Sequence, residues 1–65
     1  MTEQIELYDI VQIKELLSFG DETYTVVTRT KDREGNTMFA LEDEDGFLLE
    51  EVYYPSQLLK VIGND

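Results

Sequence analysis

From Phe19 to Val52 apolar and polar positions alternate in three runs, separated by two turns that end in glycine. The first run, Thr23 to Lys31, reads TYTVVTRTK. Its β-branched and aromatic residues lose little rotamer freedom on a pleated surface and more in a helix, so the pattern predicts a strand. Asp32-Arg33-Glu34-Gly35 follows. An aspartate that can bond its own turn backbone and a glycine that accepts positive φ suit a four-residue type I loop. That loop sets Val26 opposite Leu41 and Thr28 opposite Phe39. Tyr24, Val26, Phe39 and Leu41 then share one face, with Arg29, Lys31 and Ala40 on the other. A second loop at Glu44-Asp45-Gly46 sets Leu41 against Leu49. The same register brings Glu51 opposite Phe39. A bulge is therefore expected within Phe47 to Val52, or a strand end that frees the carboxylate.

The flanks are less uniform. Ile5 to Ile13, IELYDIVQI, supports two readings. With period two, Leu7, Val11 and Ile13 lie on one face, Asp9 interrupts it, and the β-branched cluster favours a strand. With helical period, Asp9 caps, Gln12 completes a capping box, Ile10, Ile13 and Leu17 form a stripe, and Gly20 ends the helix. The β-branched centre favours the strand. Lys14 to Glu22 is then a long loop whose Leu16, Leu17 and Phe19 are expected to fold down over an open end of the core. Near the C-terminus, Pro55 stops Tyr53-Tyr54 from continuing as a central strand. Ser56 is expected to cap a short turn, and Leu59 and Val61 resume alternation in a closing strand.

The chain has 65 residues, 15 of them acidic and 5 basic, for a net charge of −10. It has no cysteine, histidine or tryptophan. One domain is expected, over residues 1–65, with residues 1–4 and 63–65 fraying. Direct nucleic-acid binding is disfavoured, because each phosphate contact needs a positive donor. No membrane span or signal sequence is read, and a cytoplasmic protein is expected. The absence of cysteine fits a reducing compartment.

Three segments carry a family resemblance: Leu7-Tyr8-Asp9, Phe19-Gly20-Asp21 ahead of the valine-rich strand, and YPSQLLKVI from Tyr54 to Ile62. Together with the order strand, long loop, meander, helical turn and short strand, they resemble the small SH3-like β-barrels. The resemblance implies a mostly-β, five-stranded small barrel with a single 3₁₀ turn before the last strand. The helical reading of the N-terminal segment gives the alternative, an α+β fold with helix 10–19 packed on a three-stranded antiparallel meander. Tyr8, Tyr54 and Pro55 match the groove of the polyproline-binding members. That group, however, has a groove tryptophan and an aromatic where this chain has Leu58. Asp9 to Ile13 is similar to the opening strand of the bacterial and phage short barrels, a group that includes Tudor-like forms, and the chain is placed with these.

Little in the chain points to catalysis. Ser18 and Ser56 have no histidine or cysteine to activate them, and a barrel this small rarely encloses a cleft that separates carboxylate pKa values. No catalytic residue, cofactor or metal is assigned. Calcium ligation at Glu42 to Asp45 fails on spacing, since Leu41 and Val52 would fall at the first and last ligand positions of an EF-hand loop. Arg29, Lys31 and Arg33 are expected to pair with neighbouring acids across the hairpin. Two functional expectations remain. One is a non-enzymatic accessory module that presents Tyr8, Tyr53, Tyr54 and Leu58 to a protein partner with a basic surface, the module itself being a monomer or weak homodimer. The other is a DNA-mimic inhibitor, in which Glu42, Asp43, Glu44, Asp45, Glu50 and Glu51 imitate a phosphate backbone. A shell of one sign repels itself, so the thermal midpoint is expected to rise from low to moderate salt, as followed by circular dichroism. A falling midpoint would contradict a self-repelling shell.

Overall fold

The computed structural model describes residues 4–61. Expectations for the ends fall outside that range, apart from Gln4, and so does Ile62 of the closing segment. Five strands form one antiparallel sheet: β1 (Ile10–Ile13), β2 (Tyr24–Lys31), β3 (Thr37–Glu42), β4 (Leu48–Tyr53) and β5 (Leu58–Lys60). Their order across the sheet is β4-β3-β2-β1-β5, so β4 and β5 lie at its open edges. A 3₁₀ turn at Pro55–Gln57 precedes β5, as expected, and a second 3₁₀ segment spans Lys14–Phe19.

The two hairpin loops share one chemistry. In the first, Gly35 N–H donates to the Asp32 carbonyl (3.1 Å) and Asp32 N–H to the Asn36 carbonyl (3.0 Å). In the second, Gly46 N–H donates to the Asp43 carbonyl (3.0 Å) and Asp43 N–H to the Phe47 carbonyl (2.9 Å). Gly35 and Gly46 have φ of 88° and 87°, which a side chain would strain. Each opening aspartate also turns its carboxylate back on the loop. Asp32 Oδ1 accepts from Glu34 N–H (2.9 Å) and Asn36 N–H (2.8 Å), and Asp43 Oδ1 accepts from Asp45 and Phe47 N–H (both 2.9 Å). These are Asx turns, which tie the loop in place through its own side chain.

The first loop is thus one residue shorter than expected, and the strand repairs the difference. Thr28 pairs with Ala40 and Arg29 with Phe39, while Val26 still faces Leu41, because Val27 is left over as a bulge. Beyond the bulge, Arg29 and Lys31 share the Phe39 side rather than the opposite face. The bulge expected in β4 is present between the pairs Ala40–Val52 and Glu42–Leu48. It brings Tyr53, not Glu51, opposite Phe39. An exposed carboxylate and a half-buried tyrosine therefore each take the position that their solvation favours.

The N-terminal segment is a strand only from Ile10. β1 pairs with β2 on one side and β5 on the other, so the helix 10–19 of the α+β alternative is not formed. Leu7 lies outside the strand and is 42% exposed. In β5, Leu58 rather than Leu59 faces inward, because it pairs with Ile13. Gln57, not Ser56, closes the 3₁₀ turn: its Oε1 accepts the Tyr54 N–H at 2.8 Å.

The core is Val11, Ile13, Tyr24, Val26, Phe39, Leu41 and Leu58, with Ile5, Leu49 and Tyr53 packed against it. It has no buried polar or charged residue among those described. Full burial of each aliphatic side chain stabilises by about 1.5–3 kcal/mol. A 65-residue chain of ordinary per-residue stability holds about 3–10 kcal/mol in all. Leu41→Ala is therefore expected to remove about 2–5 kcal/mol, much of the total. Leu48→Ala, at a position 61% exposed, should stay within about 0.5 kcal/mol. Urea unfolding followed by tyrosine fluorescence distinguishes them, and equal midpoints would contradict this core.

Candidate functional site

The tyrosine nearest the N-terminus is held out by a tight turn. Asp9 N–H donates to the Glu6 carbonyl (3.1 Å), and Asp9 Oδ2 accepts from Glu6 N–H (2.8 Å). Tyr8 N–H donates to the Val26 carbonyl (2.6 Å), and Val26 N–H returns a bond to the Asp9 carbonyl (3.0 Å). Between these anchors Tyr8 has φ of 70°, the one positive value at a non-glycine position among the described residues. Such a backbone costs on the order of 1–3 kcal/mol and persists where its surroundings over-determine it. Its side chain is 72% exposed.

Asp9 also joins this turn to the far end of the chain. Lys60 Nζ lies 3.3 Å from Asp9 Oδ2 and donates to the Gln4 carbonyl at 3.3 Å. Among the described residues this is the ion pair, so the pairing expected of Arg29, Lys31 and Arg33 is not formed there. Lys60 lines a groove of about 440 Å³ with Ile5, Lys14, Pro55, Ser56, Leu58 and Leu59. Leu58, only 4% exposed, belongs to the core and also lines this groove.

Tyr53 and Tyr54 diverge, as successive residues of extended chain must. Tyr53 is half-buried against the core, and burial, with the Glu51 and Glu15 charges, raises its pKa. Tyr54 is 39% exposed and donates its hydroxyl to Asp32 Oδ2 at 2.8 Å, which fastens the first hairpin loop to the strand end before Pro55. That bond raises the Tyr54 pKa. The three tyrosines therefore do not form one patch. Tyr8 and Tyr54 are the exposed pair; neither lines the groove, to which they connect along the chain through Asp9, the partner of Lys60, and through Pro55.

The acidic positions also divide. Asp43 is occupied by its loop, and Glu44 Oε2 accepts from Thr23 N–H and hydroxyl, both at 3.5 Å. Glu42 is half-buried, and Asp45, Glu50 and Glu51 are exposed. Among the described residues no group of acidic side chains is arranged to hold a metal ion. None of the helices there is long and apolar enough to cross a membrane.

Of the residues that the sequence singles out for a partner, Leu58 alone lines the groove, and its neighbours there, Ile5, Lys14, Leu59 and Lys60, carry no such signal in the sequence. These come together only through the pairing of β1 with β5, for which the chain carries no local signal beyond the Pro55-Ser56 turn. No protein-family model, curated protein or solved structure matches this chain significantly.

The hydrogen bonds around Asp32 set its acid behaviour. The Asn36 N–H, then the Tyr54 hydroxyl, with the Asn36 side chain and Glu34 N–H, hold its pKa at about 2, below the ordinary 3.8. A carboxylate depressed on folding stabilises above its unfolded pKa, and that contribution is lost as pH falls through about 2. Tyr54→Phe removes one donor and leaves the Asn36 and Glu34 bonds. In a carboxyl-carbon NMR titration the Asp32 pKa is expected to move up, part of the way to the ordinary value. No movement would show that the Tyr54 hydroxyl does not reach it in solution.

Proposed function

We propose that this chain is a non-enzymatic protein-binding module built as an SH3-like small barrel, and that it recognises a partner through the exposed Tyr8 and Tyr54 together with the groove lined by Pro55, Leu58 and Lys60. The strand order β4-β3-β2-β1-β5, the bulges in β2 and β4 and the 3₁₀ turn before the short last strand support the barrel reading. The presentation of Tyr8 carries the functional reading: a strained backbone, tied at both ends, holds a large aromatic in solvent. Exposed aromatics that keep few rotamers make economical anchors, because little conformational freedom remains to be lost on binding.

The groove is mainly apolar, with Ile5, Pro55, Leu58 and Leu59 among its lining residues. Its volume of about 440 Å³ falls in the range of sites that take a peptide side chain or a small ligand. The charge of −10 favours a partner whose approaching surface is basic. A bacterial or phage accessory role in the cytoplasm accords with the short-barrel resemblance.

The test begins with affinity capture from the native host at physiological salt, followed by the same capture with variants. Tyr8→Ala is expected to weaken the specific partner by about 2 kcal/mol or more, the usual loss at an interface anchor. Tyr54→Ala should do the same, whereas Tyr54→Phe, which keeps the ring, should lose less. A partner indifferent to all three variants overturns the groove reading. A partner released by duplex DNA, with steep salt dependence, would instead assign function to the acidic positions Glu42, Asp45, Glu50 and Glu51 as a phosphate mimic.

A further inference from the structure

The segment Lys14–Phe19, KELLSF, has no buried residue although half of it is large and apolar. Leu16 and Leu17 are 40% and 39% exposed, and Phe19 is 85% exposed. Leu16 and Leu17 cover the core only in part, and Phe19 does not fold down over it. A 3₁₀ helix turns once every three residues, so Leu16 and Phe19 project on the same side. Beside them opens a cleft of about 190 Å³, lined by Ile13, Leu16, Leu17, Phe19, Gly20, Glu22 and Tyr24. Ile13 and Tyr24 are core residues, 2% and 8% exposed, so the cleft is a window from the surface onto the hydrophobic core.

We infer that this window is a second docking surface, which takes a short basic amphipathic segment of a partner protein. Three observations choose that occupant. The cleft is smaller than the roughly 300–1,000 Å³ typical of small-molecule sites, so it suits one or two apolar anchors of a larger partner. Its charged lining residue is Glu22, which accepts the Tyr24 hydroxyl at 3.1 Å. Glu15 and Asp21 flank it in the chain against Lys14 alone, on a molecule of net charge −10. A segment with leucine or phenylalanine anchors between lysines or arginines matches both features. A second copy of this chain would bring a like-charged rim against this one, and an anionic ligand would meet the same field. None of Tyr8, Tyr53 and Tyr54 lines the cleft, so this surface stands or falls apart from the groove.

The test uses the full chain, labelled for amide NMR, and a synthetic peptide of about ten residues in which two leucines are flanked by lysines. Two control peptides replace the leucines by serine or the lysines by glutamate. The leucine–lysine peptide is expected to shift the amides of Leu16, Leu17, Phe19, Gly20 and Tyr24, and both controls to bind at least about tenfold more weakly. Phe19→Ser, at a position that contributes little to the core, should weaken the peptide by a similar factor with an unchanged melting temperature. Glu15→Lys combined with Asp21→Lys should weaken it while leaving the apolar side chains in place. The inference is overturned if the serine control binds equally well, since charge alone would then suffice. Shifts confined to Asp43–Asp45 or to the groove around Pro55 overturn it as well. So does the absence of binding, or sedimentation showing a dimer whose formation Phe19→Ser abolishes, which would make the occupant a second copy.

Discussion

The contact between Val26 and Leu41 holds the rest of the molecule in register. Both side chains are fully buried, and they face each other where β2 pairs with β3. On one side of that pair the strands run out to the Asp32 loop through the Val27 bulge. On the other, β2 hands its inner face to β1 at Tyr24. A slip of one residue here would turn every inward side chain outward. The two bulges are the means by which the loops keep their preferred geometry without forcing that slip. Their cost is a locally broken ladder at Val27 and within β4, and their return is that Phe39, Leu41, Leu49 and Tyr53 remain with the core.

The acidity of the chain is partly structural. Asp32 and Asp43 each serve as the opening residue of a hairpin loop, accepting backbone N–H groups that no strand could satisfy. Asp9 closes the Tyr8 turn and pairs with Lys60, and Glu22 holds the Tyr24 hydroxyl. Accepting two or more N–H bonds is a task for an ionised carboxylate, which explains why aspartate stands at these places and why Asp32 resists protonation. The remaining carboxylates, Asp45, Glu50 and Glu51 among them, lie on the outer surface and give it a negative field.

Small size explains the rest of the surface. A domain of this length covers only about 60% of the surface its unfolded chain exposes, and a thin sheet with one inner face has few places to put large side chains. Tyr8, Phe19, Phe47 and Leu48 are each more than 60% exposed as a result. Phe47 and Leu48 stand at the open edge strand, where the neighbouring Glu50 and Glu51 oppose pairing with another chain of the same charge. Tyr8 and Phe19 differ in that a hydrogen-bonded turn holds Tyr8 out from the sheet, while Phe19 stands beside an opening onto the core.

The sequence by itself determined the elements whose cause is local. Alternation and β-branching placed the strands, the glycine-closed turns at Asp32-Arg33-Glu34-Gly35 and Glu44-Asp45-Gly46 placed both hairpin loops, and Pro55 placed the last turn. Pairing arithmetic put Tyr24, Val26, Phe39 and Leu41 on one face, and the misfit of Glu51 announced the bulge in β4. What lay beyond it was set by contacts distant in the chain. Closing the first loop one residue earlier was decided by the Asn36 bonds to Asp32, and the bulge at Val27 then kept Val26 against Leu41. The inward turn of Leu58 follows from its pairing with Ile13, far away in sequence. The exposure of Leu16, Leu17 and Phe19 could not be read either, because hydrophobicity says that a side chain gains from burial, and only the filled volume of the core says whether room is left for it.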